Sequence, residues 1–180
     1  MLNASASQLI PADRFDPSMT TARVFPFAGL LIAHDAKPAD SVRLADLARV
    51  VADAGASPVV VAVAPNVEAP ADVRLVRTRP QGAAIAAIRL GMAQLANTVA
   101  QAALLVPLGA EPASLVALLA LVDASKRDAR AIVAFDGASL DTSPLLVPRD
   151  AWLELVTVGE GGMNAVAARR RVARVSSEDG

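Results

Sequence analysis

The chain has 180 residues, and 17 Lys and Arg nearly balance 18 Asp and Glu, for a formal net charge of −1. That length supports one domain with a sizeable core, and that charge offers no electrostatic footprint for nucleic acid or an acidic membrane. There is no cysteine, one histidine, no tyrosine and only four phenylalanines, which excludes disulfides, thiolate nucleophiles and zinc–thiolate sites and leaves little for a His-rich metal centre, a Ser-His-Asp triad or an aromatic platform for single strands.

Hydrophobic residues make up 54% of the chain. Either a membrane span or a parallel sheet buried on both faces would account for this. A span needs roughly 20 mostly apolar residues in a row. The nearest candidate, 99–122, is interrupted by Gln101, Pro107, Gly109, Glu111 and Pro112, so the sheet is expected and the span is not. The first residues show no basic segment leading into an apolar run, so a cytoplasmic location is expected. The basic residues are arginine except for Lys37 and Lys126, which with the abundant alanine suits a GC-rich bacterial genome.

Residues 1–22 mix Asn, Ser, Asp, Pro and Thr with little periodicity and read as an N-terminal extension; 23–180 read as a single domain. An apolar run over 25–33 predicts the first strand, and a short polar turn, 34–40, follows it. From Ser41 the apolar positions Val42, Leu44, Leu47, Val50 and Val51 recur at helical spacing. Asp40 or Ser41 is the expected N-cap and Gly55 the expected C-cap. Strands are predicted at 58–63 and 72–76, a helix at 82–94 and a strand at 102–108.

A third helix is predicted at 114–126, a strand at 131–135, and an edge or crossing strand at 143–148, because Pro144 and Pro148 cannot donate to a ladder. A short helix around Trp152, capped by Asp150, precedes a glycine-rich turn at 159–162. A helix at 163–171 and a strand at 172–175 complete the chain before an acidic tail. The order β-α-β-β-α-β-α-β predicts a three-layer α/β/α domain with a mostly parallel sheet. In such a sheet ligands bind beyond the carboxyl ends of the strands, which directs attention to the turn after 102–108.

Four strings resemble, in order and spacing, the molybdenum cofactor cytidylyl- and guanylyltransferases. They are Ala87-Ile88-Arg89-Leu90-Gly91-Met92, Val106-Pro107-Leu108-Gly109-Ala110-Glu111-Pro112, Ser143-Pro144-Leu145-Leu146-Val147-Pro148-Arg149-Asp150-Ala151-Trp152, and Gly159-Glu160-Gly161-Gly162-Met163-Asn164. The resemblance covers roughly 24–175 and implies a Rossmann-like nucleotidyltransferase fold. Members carry a glycine-rich loop with Arg and Lys after the first strand, where backbone N–H groups and cations cradle a triphosphate. Here the loop is short and lacks glycine. The family's Ser, metal-binding Asp, His and Arg align with Ala87, Ala110, Ser143 and Asn164.

These departures identify the chain as a degenerate, non-catalytic member acting as a binding or structural partner, toward another protein or itself, with no cofactor. The alternative is an active transferase of CTP or GTP with a rebuilt Mg²⁺ site. It would use Glu111 on the metal and Lys37, Gly82 and Arg89 on the nucleotide. A third reading is a structural subunit of an oligomer. Glu111 also reads as a turn acid or an N-terminal charge for the helix at 114. Lys37 and Arg89 also read as solvated surface cations, and His34 as a structural turn residue. Asp35, Asp136 and Asp141 read as loop acids, and Arg169 to Arg171 as a run complementing a helix C-terminus.

Overall fold

The computed structural model describes residues 25–79, 83–157 and 162–176. The elements run β1 (Phe27–Ala33), α1 (Ser41–Asp53), β2 (Val59–Val63), β3 (Arg74–Arg77), α2 (Ala84–Leu95), β4 (Ala102–Pro107) and α3 (Leu115–Arg127). Then come β5 (Ile132–Phe135), β6 (Leu145–Pro148), α4 (Trp152–Thr157), α5 (Gly162–Ala167) and β7 (Val172–Val175). One seven-stranded sheet has the order β3-β2-β1-β4-β6-β5-β7. All neighbours are parallel except β6, which is antiparallel to both β4 and β5.

Strands β1, β2, β5 and β6 are buried at every residue, as continuous apolar runs covered on both faces should be. Alternate residues feed two cores. Leu31, Val61, Leu104 and Val106 pack with Leu44, Leu47, Val51, Leu118 and Leu121 beneath α1 and α3. Leu30, Ile32, Val60 and Leu105 pack with Ile88, Met92, Leu95, Trp152, Leu155 and Met163 beneath α2, α4 and α5. No helix among the described residues is long and apolar enough to cross a membrane.

Two glycines set how closely helices approach the sheet. A Cβ at Gly29 would lie 2.5 Å from Val51 Cγ1, and one at Gly91 would overlap the side chain of Leu30. The first resembling string is therefore a packing surface: Ala87, Ile88, Gly91 and Met92 are its buried positions.

Three sequence expectations are corrected. The 143–148 segment is neither edge nor crossing strand: β6 lies inside the sheet, with Pro144 before it and Pro148 at its last pair, opposite Ala102. The prolines thus sit where few ladder donors are needed. Asp40 occupies the N-cap position of α1 but makes no side-chain cap bond there; its carboxylate accepts the Lys37 N–H at 2.7 Å. Asp150 does not cap α4 either. It lies in a 3-10 turn, Arg149–Ala151, and pairs with Arg170 at 2.9 Å. Gly55 does end α1, with φ +98°, as the Gly55 and Ala56 amides bond Ala52 and Val51 carbonyls. Ser114 caps α3, accepting the Ala117 N–H at 3.2 Å.

Candidate functional site

A half-open cleft of about 230 Å³ lies beyond the carboxyl ends of β1 and β4, where an open α/β sheet presents its ligand site. His34 and Asp35 reach it from the turn after β1, and Pro107, Leu108 and Gly109 from the end of β4. Ala84 and Ile88 line it from α2, and Asp141 and Thr142 from the connection between β5 and β6. Ile32 contributes to the apolar floor. Among the described lining residues there is no lysine or arginine.

The turn after β1 uses its own donors. Ala36 N–H bonds the Ala33 carbonyl, Lys37 N–H bonds the Asp40 carboxylate, and Asp40 N–H returns to the Lys37 carbonyl at 2.9 Å. Pro38 has no N–H to offer. The Lys37 and Ala36 amides are thus already paired within the turn, and Lys37 itself is exposed. His34 Nδ1 is buried without a hydrogen-bond partner, 3.8 Å from Asp35 Oδ1.

The two residues that follow Leu108 face opposite ways. Gly109 lines the cleft, and a Cβ added there meets no atom within 4 Å. Ala110 is buried among the side chains under α1 and α3. Ala110 and Glu111 line a second groove, of about 260 Å³, with Arg43, Asp46 and Ser114. Ala110, the position that the resemblance aligns with a metal-binding Asp, therefore lies on the other side of the strand end from this cleft, and position 109, which does face it, has no side chain. Among the described residues, no group of three or more His, Asp or Glu could hold a metal ion.

Asp141 has a second task. Its carboxylate accepts the Met163 N–H at 3.2 Å and a short bond from Asn164 Nδ2, and so ties α5 to the β5–β6 connection. Asn164 is part of that tie. Arg89 is half-buried on α2, next to Ile88. Gly82 and the turn at 159–161 lie outside the described residues. None of the described nominated residues, Lys37, Arg89 and Glu111, is among the cleft's described lining, whereas His34, Asp35 and Asp141, read from the sequence as a turn residue and loop acids, are.

Three arginines have roles that sequence did not reveal. Arg149 donates to the carbonyls of Ala96, Thr98 and Ala100 at 2.7–2.8 Å and sits 4.9 Å over the Trp152 ring. Arg77 bonds the Ala64 and Val67 carbonyls beyond β2. Arg174 bonds Phe135 and Ala138 beyond β5. Each closes carbonyls at an element's end, and only the short spacing from Arg149 to Trp152 could have hinted at it. Arg170 bridges Glu154 at 2.6 Å and Asp150, which holds the Glu154 carboxyl below its ordinary value through the hydrogen bond from Arg170.

No family model matches the sequence, and no curated protein is detectably similar to it. Solved structures are similar in fold. Rv0371c from Mycobacterium tuberculosis H37Rv, solved in complex with manganese, superposes with TM-score 0.63 at 14% identity over 84% of this chain and 88% of that one. A 4-diphosphocytidyl-2C-methyl-D-erythritol synthase gives TM-score 0.58 at 15% identity, over 86% of this chain and 90% of that one. A nucleotidyl transferase from Methanothermobacter gives 0.59 at 14% identity, over 84% and 87%. The fold is a nucleotidyltransferase fold. At such identities the likeness concerns the backbone arrangement alone. The turn after β1 and the end of β4 lie side by side at the cleft and present Asp35 and Gly109 to it.

Proposed function

We propose that this protein is a nucleotidyltransferase-fold chain that no longer transfers nucleotides and acts by binding a protein, a partner or a second copy of itself. The observation that carries the reading is Gly109: the strand end facing the cleft offers no ligand atom from a side chain. Nucleotidyl transfer depends on neutralising phosphate charge with metal and basic groups. The first turn adds to the case, since its Lys37 amide already serves Asp40. The four strings favour descent from the molybdopterin cytidylyl- and guanylyltransferase branch. Exposed apolar residues support a binding role: Leu115, Val116 and Leu119 on α3, and Leu153, 73% exposed, on α4.

Purified protein with Mg²⁺, molybdopterin and CTP or GTP is expected to form no cytidylyl- or guanylyl-molybdopterin, and millimolar CTP or GTP is expected to leave the melting temperature unchanged, because a bound ligand must stabilise the fold. Product that disappears in Glu111→Ala would establish the active alternative instead.

A further inference from the structure

We propose that the cleft beyond β1 and β4 binds a small organic cation, a primary ammonium or guanidinium carried on an apolar body smaller than a nucleotide. The inference rests on the reading above, since a cleft handling CTP or GTP would have to neutralise phosphates.

Size comes first. At about 230 Å³ the cleft lies below the range of roughly 300–1,000 Å³ usual for small-molecule sites. Its floor is apolar, built from Ile32, Ile88 and Pro107, which suits a short hydrocarbon. Its polar rim then decides the sign of the charge. Asp35 and Asp141 bring two carboxylates, Thr142 a hydroxyl and His34 an imidazole that lies 3.8 Å from Asp35 Oδ1, with no lysine or arginine among the described lining residues.

The Asp141 carboxylate is held in place by the Met163 amide and Asn164. A carboxylate has about four acceptor sites, so two remain for a donor. Such a rim attracts a ligand that donates and carries positive charge. It repels a triphosphate, whose like charges would meet these carboxylates at short range.

The test is amide-shift NMR on the full chain at low salt, with butylammonium, agmatine, uncharged butanol and CTP as probes. Butylammonium and agmatine are expected to shift the amides of His34, Asp35 and Gly109. Butanol is expected to bind about tenfold more weakly, as loss of one close charge pair implies, and CTP to leave those amides unmoved. Asp35→Asn should weaken both cations and leave butanol unaffected. Gly109→Leu should abolish binding by filling the cleft while the protein still folds, because its Cβ meets no atom within 4 Å. Equal binding of butanol and butylammonium overturns the proposal, as does cation binding that survives Gly109→Leu, or no cation binding at all. CTP shifting the same amides overturns both this proposal and the reading of lost transfer. Failure of the cations alone overturns only this one.

Discussion

Arg149 shows how much one side chain can organise. Its guanidinium collects three carbonyls from the α2–β4 connection, two of them through the same nitrogen, and lies over Trp152. Hydrogen bonds from a charged donor exceed neutral ones, and stacking on indole adds to them. Arg149→Ala is expected to lower stability by about 1–3 kcal/mol in urea denaturation, given the unpaired carbonyls left behind. Arg149→Lys should recover only part of this, because a single ammonium cannot replace the planar fork.

Glu154 supplies a pH-dependent test. Its pKa is lowered from 4.5 in the folded chain by the hydrogen bond from Arg170. A depressed folded pKa gives stability that is fully present above the unfolded value and is lost as pH falls through the folded one. The stability difference between the parent and Glu154→Gln should therefore be constant above the ordinary carboxylate value. It should shrink on acidification below it. A difference that grows toward acid pH would contradict the pairing.

Among elements, α2 is positioned by what Gly91 lacks. Alanine there would gain about 1 kcal/mol in helix propensity, yet its Cβ would overlap Leu30, which is fully buried. Overpacking of that kind costs about 1–3 kcal/mol, so packing offsets or outweighs propensity and Gly91→Ala is expected to destabilise by up to about 2 kcal/mol. Gly109→Ala is the matched control. It meets nothing within 4 Å, and a less flexible unfolded chain should make it neutral or stabilising by about 0.4–1 kcal/mol. Chemical denaturation of both variants checks the contrast. The different surroundings of Gly91 and Gly109 were not legible in the sequence, because what each one faces depends on a strand or helix elsewhere in the chain.

At the scale of the molecule, the sheet places its most protected strands in the middle. β1, β4 and β6 lie deepest in the strand order, flanked by β2 and β5, whereas β3 and β7 are edges. Native-state hydrogen exchange should be slowest in β1 and β4 and faster in β3 and β7, since edges open in smaller units than the core. α5 depends on Asp141. Asp141→Ala is expected to speed exchange in Gly162–Ala167 while leaving the β1 amides near parent rates. Slowed or unchanged exchange in α5 would remove Asp141 from that role.

Much of this molecule was legible from residue order. Apolar runs set β1, β2, β4 and β5, and helical spacing set α1 and α3, because buried strands and amphipathic helices write their periods directly into the chain. Those elements in that order imply three layers and a ligand site at the strand ends. The four resembling strings lead to the same fold that the solved structures share. The place of β6 was not legible, because proline marks where donors are missing and not which neighbours a strand has.

The sides taken by Gly109 and Ala110 were decided by tertiary structure, which turns the end of β4 so that one faces the cleft and the other packs under α3. The arginine clamps and the Asp141 tie likewise join residues up to 53 positions apart. Local sequence determines which elements form because hydrophobic burial has a period. It does not determine which polar groups meet, since that depends on contacts made only after the layers have packed.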